Sequence, residues 1–362
     1  MKNITIGVIG AGLIGRKHVR KLAERNDYDL VGIADVNVDQ VAAEHPKARV
    51  FADYRRLLDE ARPEAVIIAS PNQLHAETGI ECVRRGIDIL IEKPVTDTLE
   101  SAAALLTEVR KSGIKSLVGH HRRHHLQVRT LKALLGEGRI GDIVGVSAIW
   151  ATHKPESYFE VALWRSQAGG GPVLINLIHE IDFLRFTVGE IVAVEAIVSN
   201  RQRGFAVEDT AAALIEFAGG ALGTFFISDS AVSPWTMEQG LGEAVEFPFS
   251  GQGSYRLMGR RGSLEFPNLV QWAQADGSQD WNQPIQAQHI HAGTIDPYVA
   301  QLDHFRDVIR GSAPSLQPVE DGARSLIATL AIAEAATAGQ RIDLRDRYAA
   351  LEPALKDKQT VP

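Results

Sequence analysis

Through the first 119 residues, short apolar runs alternate with stretches of helical period. The apolar runs fall at residues 4–9, 30–34, 65–69, 87–91 and 116–118. Apolar positions recur at helical spacing over 16–25, 54–61, 75–85 and 99–111. Strands separated by helices of ~10–15 residues predict βαβ units. Their right-handed crossovers lead to a doubly wound parallel sheet, buried on both faces.

The pattern changes after about residue 122. A helix is predicted over 127–135, followed by strand-like stretches at 143–152, 192–199, 210–217, 221–228, 255–258 and 263–266. Gly219-Gly220 reads as a hairpin turn, and Gly259 with Gly262 marks another. This half predicts an α+β domain on a largely antiparallel open sheet. Residues 229–254 and 267–296, rich in Gly, Pro, Gln and Ser, read as loops or weak strands. Helices over 297–310 and 319–338 close the chain, and 351–362 reads as a frayed tail. The expected fold class is therefore α/β in two domains, 1–122 and 123–362.

Composition narrows the function classes. The formal net charge of −7 gives nucleic acid or an anionic membrane no overall attraction. No apolar run approaches the ~18–20 residues that span a bilayer, and no signal-type cleavage site follows the apolar start. Cys82 is the single cysteine, which excludes an intrachain disulfide and fits a cytoplasmic protein.

The first apolar run leads into Gly10-Ala11-Gly12-Leu13-Ile14-Gly15 and then a helix, and Asp35 closes the next strand twenty residues past Gly15. In that context the glycine pattern predicts a Rossmann dinucleotide site. Gly10 permits the tight turn, Gly12 lets a pyrophosphate approach the backbone, and Gly15 lets helix and strand pack closely. The helix N-terminus offers N–H groups to the phosphates. Asp35 can accept hydrogen bonds from the ribose hydroxyls and would repel a 2′-phosphate. Val36-Asn37-Val38 supplies no arginine for one, so NAD is expected over NADP.

Ser70-Pro71-Asn72, with His75 three residues on, follows the run at 65–69. It reads either as a ligand contact at the carboxyl edge of the sheet or as a proline turn starting a helix. Glu92-Lys93-Pro94 ends the next strand at the same edge. Lys93 can hydrogen-bond a substrate oxygen and stabilise a developing alkoxide. On spacing alone the reading as a surface lysine before a turn is the favoured one. In the second half, Gly169-Gly170-Gly171 makes a close-approach loop, Pro172 starts a helix, and Gly189 ends it. Asn176 and His179 share one face of that helix. His179 can take a hydroxyl proton, although such a histidine is commonly a packed core residue. The strip Gly119-His120-His121-Arg122-Arg123-His124-His125 lacks carboxylate or thiolate partners, so metal is not expected. An anionic substrate such as a uronate would suit it. Lys154 and Tyr158 read as pocket-lining or as a packed interface.

Together, the glycine turn, Ser70-Pro71-Asn72 with His75, Glu92-Lys93-Pro94, and Gly169–Gly171 with His179 and Asp182 resemble the Gfo/Idh/MocA oxidoreductase family over nearly the whole chain. The resemblance implies a Rossmann domain and an α+β domain for substrate binding and oligomerisation. It also implies a homo-oligomer and hydride transfer between a nicotinamide and a carbinol of a sugar, sugar acid or cyclitol. Lys93 and His179 would carry catalysis. The glycine turn, Asp35, Ser70, Pro71, Asn72, His75, Glu92, Lys93, His121, Trp164 and Arg165 would contact the cofactor. Lys93, Arg123, Tyr158, Asn176 and His179 would contact the substrate. One departure stands out. The family pattern has an aspartate four residues before the histidine; here that position is Ile175, and Asn176 is the nearest polar residue. Asparagine cannot act as a base, so Asn176 is expected to orient His179 or bind a hydroxyl. Two other readings remain: a redox-neutral lyase, hydrolase or epimerase using tightly bound NAD, and a non-catalytic dinucleotide sensor.

Overall fold

The computed structural model describes residues 2–167, 169–243 and 247–351, and the tail expected to fray lies largely outside them. The first sheet has six strands: β1 Ile4–Ile9, β2 Tyr28–Ala34, β3 Val50–Phe51, β4 Ala65–Ile68, β5 Asp88–Ile91 and β6 Ser116–Val118. Their order is β3-β2-β1-β4-β5-β6, with every pair parallel. This is the expected doubly wound sheet. Apolar runs such as Ala65–Ile68 are wholly buried because helices cover both faces. Register then sets the site: Ile9 pairs with Ala34 and Ile68, and Ile68 with Ile91. The turns after β1, β2, β4 and β5 therefore leave the sheet at one level, at the point where strand order reverses.

The chain returns to this unit late. Contacts group the stretch ending at His124 with Ile295–Leu326, and group His125–Thr294 with the segment from Ile327 onward. The division drawn at 122/123 thus lies near the first crossing, but 295–326 belongs with the first unit. The cause is packing: Leu302 and Phe305, on the helix Pro297–Ile309, are buried in the core formed by Ile4, Ile6, Val8 and Ile33. Asp296 caps that helix through Tyr298 and Val299 N–H, and the Tyr28 hydroxyl donates to Leu302 O at 2.8 Å.

The second unit carries a nine-stranded sheet. Its strands are β7 Ile143–Ala151, β8 Ile191–Ser199, β9 Thr210–Phe217, β10 Leu222–Ser228, β11 Tyr255–Gly259, β12 Ser263–Phe266, β13 Val270–Gln274, β14 Ile285–His289 and β15 Ile342–Asp343. The order is β14-β13-β12-β11-β7-β10-β9-β8-β15, antiparallel except for the β7–β10 pair. Gly220, at φ 87°, closes the β9–β10 hairpin as expected. On one face Phe225 and Tyr255 pack with Phe183 and Phe266. On the other, Ile197, Leu214, Leu222 and Met258 are exposed. Two expectations need correction. The segment 229–254, read as loop or weak strand, contains a short helix, Met237–Leu241, whereas β13 and β14 in 267–296 fall within the weak-strand reading. The helix expected to run from Pro172 to about 188 is broken at Asn176 into Pro172–Ile175 and Leu177–Thr187. Among the described residues no helix is long and apolar enough to cross a membrane.

Candidate functional site

The glycine turn keeps the geometry its sequence predicts. Gly10 lies at φ 90°, and a Cβ there would sit 2.6 Å from the Ala69 carbonyl. A Cβ on Gly15 would lie 1.9 Å from Gly10 O, so only glycine lets helix Leu13–Ala23 pack this closely on β1. At Gly12 nothing lies within 4 Å of an added Cβ. The helix it starts has no side-chain cap and no acid in its first turn. Such an end, with its N–H groups uncapped, suits an anion. Asp35 is fixed by this turn: its carboxylate accepts Ala11 N–H at 2.7 Å and Asn37 N–H at 2.8 Å. Each carboxylate oxygen keeps a second lone pair for a hydroxyl.

After β4, Ser70 Oγ is buried with no hydrogen-bond partner among the described residues, and Asn72 opens a short 3₁₀ turn. His75 departs from expectation. Its ring is buried, with Nδ1 2.9 Å from Pro94 O and Nε2 2.9 Å from Ser70 O. It ties two loops together instead of facing a ligand. Burial pushes its pKa down against these two carbonyls.

Glu92 also turns inward. Its Oε1 lies 2.8 Å from His18 Nε2, and its carboxylate accepts Lys93 N–H at 3.3 Å. Burial would raise its pKa, but His18 first, then His121 and Lys93, hold it below the usual carboxylate range. A Cβ on Gly119 would lie 2.7 Å from this carboxylate, so that glycine makes room for it. Lys93 itself is half-buried and precedes a cis peptide bond to Pro94. His121 is buried and stacks on Tyr298 at 4.6 Å, and Lys17 Nζ lies 4.0 Å from the same ring's centre. Arg123 needs correction as a substrate residue. Its guanidinium is buried and bonded to Asp321 at 2.5 Å and Leu316 O at 3.1 Å. His124 pairs with Gln317, and His125 lies near Glu243. The basic strip is thus packed into the interior, with Arg123 and His124 held by partners far along the chain.

The second unit builds its group around the broken helix. Gly170 permits close approach to the Trp164 carbonyl, which an added Cβ would meet at 2.4 Å. Glu208 accepts Val173 N–H at 3.0 Å and so caps the first helix fragment. At the break, Asn176 O accepts His179 N–H at 3.1 Å, and both side chains are half-buried. Lys154, just past β7, donates to Asn176 Oδ1 at 2.8 Å and lies 3.5 Å from Asp229. Tyr158 carries Lys154 Nζ 4.9 Å and the Arg165 guanidinium carbon 3.9 Å from its ring centre. Trp164 is exposed. The unforeseen members are His18, Tyr298, Arg203, Glu208 and Asp229. His18 had a signal: it shares the buried stripe of its helix with Gly15, Val19 and Leu22, where a histidine needs a buried partner.

Residues 4–120 match the oxidoreductase family model described as an NAD-binding Rossmann fold, and 128–265 match the Gfo/Idh/MocA C-terminal domain. The chain belongs to the Gfo/Idh/MocA oxidoreductase family. Within it, the chain is 26% identical to 1,5-anhydro-D-fructose reductase of Ensifer adhaerens over 93% of this chain and 98% of that protein. It is 27% identical to inositol 2-dehydrogenase of Rubrobacter xylanophilus over 97% of this chain and 95% of that protein. Its fold matches levoglucosan dehydrogenase solved with NADH and levoglucosan at a TM-score of 0.78 and 23% identity, covering 95% and 100% of the two chains.

Proposed function

We propose that this oxidoreductase is an NAD-dependent dehydrogenase that oxidises a secondary alcohol of a sugar, sugar acid or cyclitol. One observation carries the cofactor half: the turn at Gly12 is open and leads into a helix end that no side chain caps. The residues present fit the dinucleotide. Gly10–Gly15 N–H groups would hold the pyrophosphate, Asp35 the adenosine ribose, and the orphaned Ser70 hydroxyl the ligand beyond it. Asp35 and the exposed Val36 beside it favour NAD over NADP, because a 2′-phosphate would meet a carboxylate and no arginine. The names of relatives acting on anhydrosugars and inositols support the substrate class.

Bound NAD supplies the two-electron acceptor for the carbinol C–H. The chain's own groups handle the oxygen. The Lys93 ammonium hydrogen-bonds it and stabilises the negative charge that develops. His179 takes its proton, imidazole being the side chain best suited to proton exchange near neutral pH. Asn176, which cannot exchange a proton, orients His179 and the substrate.

The test is a screen of sugars, sugar acids and inositols for net NADH absorbance. Lys93→Ala and His179→Ala are expected to lose ~10²–10⁴-fold in turnover while NADH still binds. Near wild-type turnover in both variants would overturn the mechanism. Product without net NADH would point to redox-neutral chemistry, and tight NAD binding without turnover to a sensor.

We also assign the exposed apolar sheet face, with Ile197, Leu214, Leu222 and Met258, to a homo-oligomer contact. The single cysteine, Cys82, is buried and its thiol pushed up to about 12, which suits a reducing cytoplasm. Cell fractionation recovering the chain elsewhere would reverse that placement.

A further inference from the structure

Lys154 is an expensive residue to place where it is. Its side chain is only 10% exposed, and burial holds the ammonium down to about 8, with Asp229 working in the opposite direction. A lysine in that position needs a carboxylate, yet the nearest one is already taken. Asp229 receives Arg203 Nε at 2.9 Å, and Arg203 also bonds the Asp229 carbonyl. Lys154 stands further off, at 3.5 Å, and gives its shorter bond to the neutral oxygen of Asn176.

A third cation joins them. Arg165 lies over the same Tyr158 ring as Lys154, and its Nη1 donates to Tyr158 O at 2.7 Å. Its Nε is buried with no hydrogen-bond partner among the described residues. Near Lys154, Arg165 and Arg203 stand four acids: Asp229, the buried Asp209, Glu208 and the exposed Glu156 at 3.4 Å from Arg203. Burial pushes the Glu208 carboxyl up, toward its neutral form. Among the described residues Lys154 and Arg165 therefore lack a carboxylate of their own: Asp229 is held by Arg203 and Asp209 by the Gln202 and Arg203 N–H groups, and a buried cation so weakly paired costs stability unless a ligand completes it. Donors remain for one: an ammonium has three N–H groups and a guanidinium five in a planar fork that fits a carboxylate. The group also sits next to the proposed chemistry. Asn176 bonds Lys154 through its side chain and His179 through its backbone.

We propose that Lys154 and Arg165 bind a carboxylate of the substrate, making this chain selective for a sugar acid over neutral sugars and cyclitols. This rests on the dehydrogenase reading and narrows it: the reacting carbinol lies a few bonds from the carboxylate, within reach of His179.

The test compares glucuronate, galacturonate and gluconate with glucose 6-phosphate and with glucose, galactose and myo-inositol. Both kcat/KM with NAD and direct calorimetric binding to the NADH-loaded protein are measured, for wild type, Lys154→Met, Arg165→Gln and Lys154→Arg. Wild type is expected to prefer a sugar acid. The Met and Gln variants are expected to lower the acid-to-neutral ratio ~10–100-fold, mainly through KM, as loss of a charge-assisted hydrogen bond predicts. Lys154→Arg should retain most of the ratio, and its melting curve shows whether the fold tolerates change at this position. Preference for a neutral substrate, for a sugar phosphate over the sugar acids, or an equal loss on acid and neutral substrates would overturn the proposal. If nothing is oxidised but a sugar acid binds and Lys154→Met abolishes binding, the dehydrogenase reading fails and the anion site stands. If no sugar acid binds, the anion site fails.

Discussion

Replacing Gly12 and Gly15 separately with alanine should divide cofactor binding from folding. At Gly12 the backbone (φ −68°, ψ −163°) is open to any L residue, and a new methyl meets nothing within 4 Å. Alanine is a poorer N-cap than glycine, by up to ~1 kcal/mol. It also restricts the unfolded chain, a gain of about 0.4–1 kcal/mol. The two nearly cancel, so the melting temperature should hardly move. The methyl occupies space the pyrophosphate needs, and losing even one charge-assisted phosphate bond weakens NADH ~10–100-fold. At Gly15 the balance differs. The methyl meets Gly10 O at 1.9 Å, and that atom is backbone. Alanine gains ~1 kcal/mol in helix propensity, but overpacking of this kind costs ~1–3 kcal/mol or more. The conflict with backbone puts Gly15→Ala at or beyond the upper end. Its net cost of ~2 kcal/mol or more lowers the melting temperature by at least roughly 4–8 °C. Fluorescence titration with NADH, with NADPH in parallel, and thermal melts supply both readouts. NADPH should bind more weakly to the wild type. Gly12→Ala binding NADH within about twofold of wild type would refute the open-turn argument. So would Gly12→Ala losing as much stability as Gly15→Ala.

Acid should loosen the first unit through Asp27. Burial would raise its pKa, but Arg25, at 2.6 and 2.8 Å, and Arg306, at 2.8 Å, hold it at about 2. A folded pKa below the unfolded value contributes stability that is present above about pH 4 and lost as pH falls toward 2. With the side chain 19% exposed, the full contribution of the shift is discounted to ~1–2 kcal/mol. Asp27→Asn should flatten the acid limb of denaturant-measured stability over that window; an unchanged limb would refute the assignment. At the sheet face, Leu214→Glu is expected to shift an oligomer toward monomer in light scattering, and a monomeric wild type would remove the basis for that contact.

What could be read from the sequence was local. The strand, glycine turn and acid of the cofactor site are set by short-range sterics, so spacing alone located them. Chemistry that depends on distant partners was not legible. Arg123 looked available, but Asp321, far along the chain, neutralises it. Glu92 and His75 sit in motifs that suggest ligand contact, while their side chains bond His18 and two backbone carbonyls. β14 could be read no more closely than as loop or weak strand because every residue of Ile285–His289 is exposed, so no apolar alternation marks it; pairing with β13 makes it a strand. The helix break at Asn176 carries no glycine or proline to announce it.

The late return of residues 295–326 has a consequence for synthesis. When a ribosome has completed His124, all six strands of the first sheet exist, but Leu302 and Phe305 do not. The nascent sheet must hold Ile4, Ile6 and Val8 without their eventual cover while the whole nine-stranded region, apart from its last short strand, is still being made. The dinucleotide fold is therefore one of the first things begun and among the last completed. A truncated transcript would yield an unfinished core in place of a small working cofactor-binding protein.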